Sequence, residues 1–292
     1  MSEMFRLGTA LIEGRQCTLL NTGGKTYRLS DLLGDEIPVI ELIRDWDAQK
    51  SRLFAAAGKA KSSEALDEAG LAFLSPVPNP SKLVCIGTNY HDHLKEMHVT
   101  TPPEYPYAFL RPNQCLAGHR EVVALPEWPK FVDWEAEMGI IVGKTGRHFK
   151  GAAAREAIGG YTVLNDLSAR DWIENRPFVG IDWVMQKAWD GFQPTGPWYT
   201  PAEFVENPMA LDIELTVNGV VRQKSNTSQM IFDVDAIIEH LSAIMTLEAG
   251  DIIATGTPAG VGFGQRPRIN LQSGDKMIVT IEGLGALENT MK

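Results

Sequence analysis

Two periodicities alternate along this chain, and the positions where one gives way to the other predict its elements. From Phe5 to Leu20 apolar residues recur at strand spacing around Glu13-Gly14, and Asn21-Thr22-Gly23-Gly24 turns the chain again, so the opening reads as short paired strands. Pro38 stands where a helix can start, and Ile40, Ile43, Trp46, Leu53 and Phe54 follow at near-helical spacing. Residues 75–81, Ser-Pro-Val-Pro-Asn-Pro-Ser, lose all periodicity and read as a linker. The predicted division is a small N-terminal unit at 1–78 and a larger one at 79–292. In the second unit Lys82–Gly87, Gly160–Leu164 and Gly250–Ala254 are short apolar strands, and Asn218-Gly219 between apolar runs predicts a tight hairpin. A helix capped by Asp233 is expected to turn Ile237, Ile238, Leu241, Ile244 and Met245 inward. Met277, Val279 and Ile281 alternate as a closing strand.

One stretch breaks its own pattern. In Asp133-Trp134-Glu135-Ala136-Glu137-Met138, running on into Ile140-Ile141-Val142, acids alternate with residues fit for a sheet interior. The period of two sends the three acids to one face, with Glu135 and Glu137 roughly 6.6 Å apart along the strand. Two arrangements satisfy this: an edge strand with its acids in water, or carboxylates converging on a cation that relieves their repulsion. Oxygen donors alone suit Mg²⁺, Mn²⁺ or Ca²⁺. Asp166, at the end of an apolar strand, is either a helix cap or a third oxygen ligand. His93 and Glu96, if helical, are i and i+3 neighbours, either an incidental surface pair or a carboxylate-oriented base for water. Residues 100–106, Thr-Thr-Pro-Pro-Glu-Tyr-Pro, have the composition of a loop or mobile lid.

Composition narrows the classes. The 292 residues are 44% hydrophobic, enough for a substantial core, and carry a net charge of −10 without a Lys/Arg run, which opposes a nucleic-acid partner. The three cysteines form no C-x-x-C pair, and no stretch approaches membrane-spanning length or has the make-up of a signal peptide, so a cytoplasmic protein is expected. The turn Thr255-Gly256-Thr257-Pro258-Ala259-Gly260-Val261-Gly262 lacks the spacing and lysine of a nucleotide loop, although its N–H groups and Thr257 could hold a carboxylate.

Taken in order, Asn89-Tyr90-x-x-His93, Asp133-x-Glu135-x-Glu137, Asn165-Asp166-x-Ser168-Ala169-Arg170-Asp171, Lys187 and Thr255–Gly262 resemble the fumarylacetoacetate hydrolase family from about residue 80 to the end. The resemblance implies an α+β fold, a mixed β-roll catalytic domain behind a small N-terminal α/β domain, and a homodimer. It implies Mg²⁺ or Mn²⁺ held by Glu135, Glu137 and Asp166, with His93 and Glu96 as a dyad on a closing lid. Lys187 would assist catalysis, and Arg170, Thr257 and Gly256 would contact substrate. The implied reaction is hydrolysis of a carbon–carbon bond in an acylpyruvate or other 2,4-diketo acid. Decarboxylation of oxaloacetate or isomerisation of a 2-oxo acid are alternative uses of the same site. The chain departs from the family pattern at Ile173, where many relatives carry a glutamine that touches the substrate or oxyanion, and at Trp189 and Gly191, changes that bear on substrate identity.

Overall fold

The computed structural model describes residues 4–174, 176 and 178–292; residues 1–3, the head of the expected N-terminal unit, lie outside the described residues. Tight turns set the first sheet. Glu13 (φ 51°) with Gly14 (φ 76°), and Gly23 (φ 58°) with Gly24 (φ 71°), are both left-handed pairs, whose twist matches that of the strands they join. They connect Phe5–Ile12, Arg15–Thr22 and Lys25–Arg28 into an antiparallel sheet, which Ala72–Leu74 extends on the other side of Phe5–Ile12. Val39–Arg44 and Trp46–Lys59 are helical, and Val39, Leu42, Ile43, Leu53 and Ala56 are buried in the same apolar cluster as Phe5 and Leu7.

The proline-rich segment after this sheet is not a free tether. Ser75 and Val77 are buried, and Thr9 Oγ1 donates to Pro76 O at 2.8 Å. The first sheet's cluster also takes in Leu83, Ile141, Leu164, Tyr199 and Ile252 of the second unit, so the two share a core. Phe5 meets Phe54 and Phe204 edge-on, at 5.3 and 5.2 Å between ring centres.

The second unit is built on a mixed sheet of six strands in the order Thr200–Pro201, Ile158–Asn165, Ala136–Val142, Ile252–Ala254, Leu83–Gly87, Tyr107–Arg111. Ile252–Ala254 runs parallel to Leu83–Gly87, and the other neighbours are antiparallel. Every residue of Ala136–Val142 is buried, as befits a strand covered on both faces. Over it lies an antiparallel sheet of Asp212–Val217, Val220–Asn226, Lys276–Ile281 and Gly285–Met291, with Val122–Val123 added in parallel at the edge. Leu215, Met277, Val279 and Ile281 from this layer share one cluster with Met138, Ile140 and Val163 from the other.

Three expectations change. Lys276–Ile281 does not close the chain, because Gly285–Met291 follows and pairs with it. The helix Val234–Ile244 is capped by Asp233 and buries Ile237, Ile238 and Leu241, but Ile244 is 62% exposed in its last turn, so the inward stripe ends there. The acidic strand is interrupted: Val132–Asp133 pairs with Ser168–Ala169, whereas Ala136–Val142 pairs with Ile158–Asn165. Trp134 and Glu135 lie at the break, and the fully buried Trp134 pins it by donating Nε1–H to Gly260 O at 3.1 Å.

Candidate active site

The break in the strand gathers acids that an unbroken ladder would have spread along one face. Glu137 enters from the central strand. Glu135 and Asp166 are tied together through their backbones, because Asp166 N–H donates to Glu135 O at 2.8 Å and Glu135 N–H donates to Asn165 Oδ1 at 3.0 Å. All three carboxylates are buried and each presents an oxygen within 4.8 Å of the others. The arrangement with acids in water is therefore ruled out.

Buried carboxylates this close need cations. Lys187, from the helix Trp183–Lys187, donates to Glu135 Oε2 at 2.8 Å and lies 2.9 Å from Asp166 Oδ2. Arg170 spans Asp133 at 3.0 Å and Glu135 at 2.5 Å. Burial would raise the Glu135 carboxyl, but Lys187 and Arg170 together outweigh it and hold the group at about 2. Burial likewise works against the Lys187 ammonium, and Asp166 with Glu135 overcomes it, keeping the lysine charged. Glu137 is different. Among the described residues it accepts a hydrogen bond from Gly256 N–H at 2.8 Å and from no cationic side chain, and burial with the charges of Asp166 and Glu135 pushes its carboxyl well above the usual range. An under-compensated carboxylate 1% exposed, beside two others, fits a divalent cation, and the all-oxygen donor set fits Mg²⁺ or Mn²⁺.

These acids face a cavity of about 80 Å³ whose wall also includes His93, Lys187, Arg170, Thr257, Phe109, Trp183 and Gln186. A larger hollow of about 380 Å³ near Trp46 and Tyr199 gathers no acid triad of this kind, so size does not mark the site. His93 and Glu96 lie on the helix His91–Glu96, with Nδ1 and Oε2 3.0 Å apart. Glu96 Oε1 accepts Gly260 N–H at 2.9 Å, which leaves Oε2 aimed at the imidazole. The pair is thus packed against the cavity and is not an incidental surface contact.

The glycine-rich turn does hold carboxylates, but they are the protein's own. Its N–H groups donate from Gly256 to Glu137, from Ala259 to Asp92 at 3.3 Å, from Gly260 to Glu96, and from Gly262 and Phe263 to Asp133 at 2.7 and 3.0 Å. Gly260 is at φ +107°, and a β-carbon there would lie 2.1 Å from Arg222 O, so only glycine fits. Thr257 lines the cavity, although its hydroxyl already donates to Ala136 O and accepts from Gln223. Gly256 serves by orienting Glu137 and is not part of the cavity wall.

Sequence reasoning missed Arg111. Its side chain is fully buried at the end of Tyr107–Arg111 and donates to Asp166, to Gln193 and to the carbonyl of Lys187. No local pattern announces it, since Asp166 is 55 residues away. Gln193, which accepts from Arg111, and Gln223, which accepts Ala136 N–H and donates to Thr257, are equally silent in the sequence, whereas Asn165 stands in the motif that carries Asp166.

The fold and this constellation define a member of the fumarylacetoacetate hydrolase family, and residues 82–292 match the family described as Fumarylacetoacetate (FAA) hydrolase C-terminal. The chain belongs to that family. It is 41% identical over 219 residues to the human protein named Oxaloacetate tautomerase FAHD2B, mitochondrial, covering 75% of this chain and 69% of that one. Among solved structures it resembles the fumarylacetoacetate hydrolase of psychrophilic Exiguobacterium antarcticum, at 31% identity and a TM-score of 0.83 over 99% of both chains. It also resembles maleylpyruvate hydrolase from Sphingobium sp. SYK-6 in complex with manganese (II) ion and pyruvate, at 31% identity and a TM-score of 0.81 over 98% of both chains. Among the described residues no helix is long and apolar enough to cross a membrane.

Proposed function

We propose that this chain is a divalent-metal-dependent enzyme that hydrolyses the carbon–carbon bond of an acylpyruvate or other 2,4-diketo acid, releasing pyruvate and a carboxylic acid. The observation that carries this reading is a hydrogen-bonded His93–Glu96 pair facing the same small cavity as three clustered carboxylates and Lys187. Mg²⁺ or Mn²⁺ held by Glu135, Glu137 and Asp166 would supply Lewis-acid polarisation of a 2-oxo carboxylate and steady its enolate.

The chain's own residues do the rest. Glu96 fixes the His93 ring through Nδ1, leaving Nε2 to take a proton from water as its oxygen attacks the distal carbonyl carbon. The bond between that carbon and C3 breaks with its electron pair passing to the pyruvate unit as an enolate, and the imidazolium returns the proton to C3. Lys187 is held charged beside the reacting region and stabilises the developing negative charge. Arg170 and Thr257 complete the substrate contacts on the cavity wall.

A second reading, enol–keto tautomerisation of oxaloacetate, is favoured by the name of the human relative. It needs proton transfer to and from C3 but no attacking water; oxaloacetate decarboxylation shares that feature. The test is kcat/KM for acylpyruvate cleavage and for both oxaloacetate reactions, at saturating Mg²⁺, in wild type, His93→Ala and Glu96→Gln. Cleavage should fall by about 10² to 10⁴ in the variants and oxaloacetate decarboxylation far less, whereas tautomerisation, which also needs a proton moved at C3, should fall with cleavage. Equal losses of cleavage and decarboxylation would reassign the pair to binding or lid closure, and a wild-type preference for oxaloacetate would overturn the hydrolase reading.

The same proposal includes a cytoplasmic homodimer, in keeping with three buried cysteines that are all free thiols, and an N-terminal unit of residues 1–78 that supplies no catalytic group. Light scattering in solution checks the assembly.

A further inference from the structure

Among the described residues of the cavity wall, Gln186 is the one with a buried side-chain polar atom left without a partner. Its side chain is buried, the residue being 3% exposed, on the helix that carries Lys187, and it lines the cavity. Its Oε1 has no hydrogen-bond partner, and no other side-chain atom in that condition among the described residues belongs to the cavity wall. An unmet buried acceptor is costly in the free protein, so its retention points to a partner that arrives with the ligand. The helix Asp171–Glu174, which includes Ile173, packs against the Gln186 helix.

The surroundings narrow what that partner is. Lys187 and Arg170, the lysine and arginine of the cavity wall, are each engaged by two carboxylates, and His93 is paired with Glu96. A second carboxylate at the far end of a substrate would find no uncommitted cation on the wall. The wall beside Gln186 is aromatic instead: Trp183 stacks on Phe109 with ring centres 4.2 Å apart and planes 9° apart. A carboxamide against aromatic rings suits a neutral oxygen that donates a proton, such as an enol or hydrate hydroxyl.

We propose that the Gln186 carboxamide reads the far end of the substrate, selecting a 2-oxo acid whose distal carbon carries a neutral hydroxyl or enol oxygen over one that carries only hydrogen or a second carboxylate. This rests on the reading of the cavity as a 2-oxo acid site. The hydroxyl donates to Oε1.

The test is calorimetric titration of Mg²⁺-loaded wild type and Gln186→Leu with oxalate, 2-oxobutanoate and 4-hydroxy-2-oxobutanoate. In wild type the hydroxylated acid should bind about tenfold more tightly than 2-oxobutanoate, and in Gln186→Leu the two should bind alike. Oxalate, which has no far end, should bind both proteins equally. Ligand-free Gln186→Leu should also melt above wild type, because it removes an unmet buried acceptor; a group kept for structure would give the opposite shift. Gln186→Met repeats the comparison if the leucine variant does not fold. Equal affinities for the two acids in wild type, an unchanged preference in the variant, or a lowered melting temperature would overturn the inference. Failure of wild type to bind even oxalate would overturn the 2-oxo acid reading and this one with it.

Discussion

Replacing Glu137 by glutamine tests the proposed metal-holding role of the acid cluster separately from its structural role. Two unit charges 4.8 Å apart at an effective dielectric of about 20 repel by about 3.5 kcal/mol. Lys187 lies within 3 Å of Glu135 and Asp166 and offsets what those two impose on each other, so the repulsion centred on Glu137 is the part left for a divalent ion. Glutamine keeps an oxygen to accept Gly256 N–H while removing the charge. Metal-free Glu137→Gln should therefore be more stable than wild type by about 2 kcal/mol, which for 292 residues is about 3 °C in Tm at roughly 2.1 cal/mol/K per residue. Mg²⁺ at a hundred times its Kd should stabilise wild type by about 2.7 kcal/mol, raising Tm by about 4 °C, and should leave the variant nearly unmoved. The assay is thermal unfolding by circular dichroism with EDTA and across a Mg²⁺ series. Equal Mg²⁺-induced shifts in the two proteins, or a metal-free variant less stable than wild type, would refute the assignment of Glu137.

Other expectations follow from single contacts. Burial, with Arg120 adding to it, lowers His119 from 6.5 to about 4, and its Nδ1 accepts Glu288 N–H at 3.1 Å. The unfolded chain takes up the proton first as pH falls, so this contribution is complete above 6.5 and is lost towards 4, by about 2 to 3 kcal/mol. Urea titrations from pH 7 to 4.5 should show that acid limb flattened in His119→Gln, which retains an acceptor. Arg111→Met leaves Asp166 with Lys187 alone and the Lys187 carbonyl without its guanidinium donor, and should cost about 3 to 5 kcal/mol of unfolding free energy in the same titrations. Gly260→Ala drives a β-carbon into Arg222 O and should pull the loop N–H from Glu96, lowering kcat for cleavage about tenfold or more.

The parts of this molecule legible in its sequence are those whose cause lies within a few residues. Glu13-Gly14, Gly23-Gly24 and Asn218-Gly219 announce their hairpins because left-handed backbone is costly for most other residues, and His93 with Glu96 meet because three residues make most of a helical turn. The period-two acids pointed to Glu135 and Glu137 for the same reason. What the sequence hides is the choice of partner across the fold. Ser75 to Ser81 looks like a linker because its composition offers no periodicity, yet packing against the first strand, not composition, decides whether such a segment is free. Asp133 follows the same alternation as Glu135 and Glu137 but spends its oxygens on Arg170, Gly262 and Phe263, because the strand breaks at Trp134, where the indole reaches Gly260.

The glycine-rich turn carries the consequence furthest. Its spare N–H groups correctly signal carboxylate recognition, but whether those carboxylates belong to a substrate or to the chain depends on segments more than 100 residues away. Because one loop fixes Glu137 from the acid cluster, Glu96 beside His93 and Asp133 behind Arg170, a displacement anywhere in Thr255–Phe263 reaches several groups of the candidate site at once. Rigidity of this turn is thus a condition for the site's geometry, and the strict need for glycine at position 260 is the backbone expression of that condition.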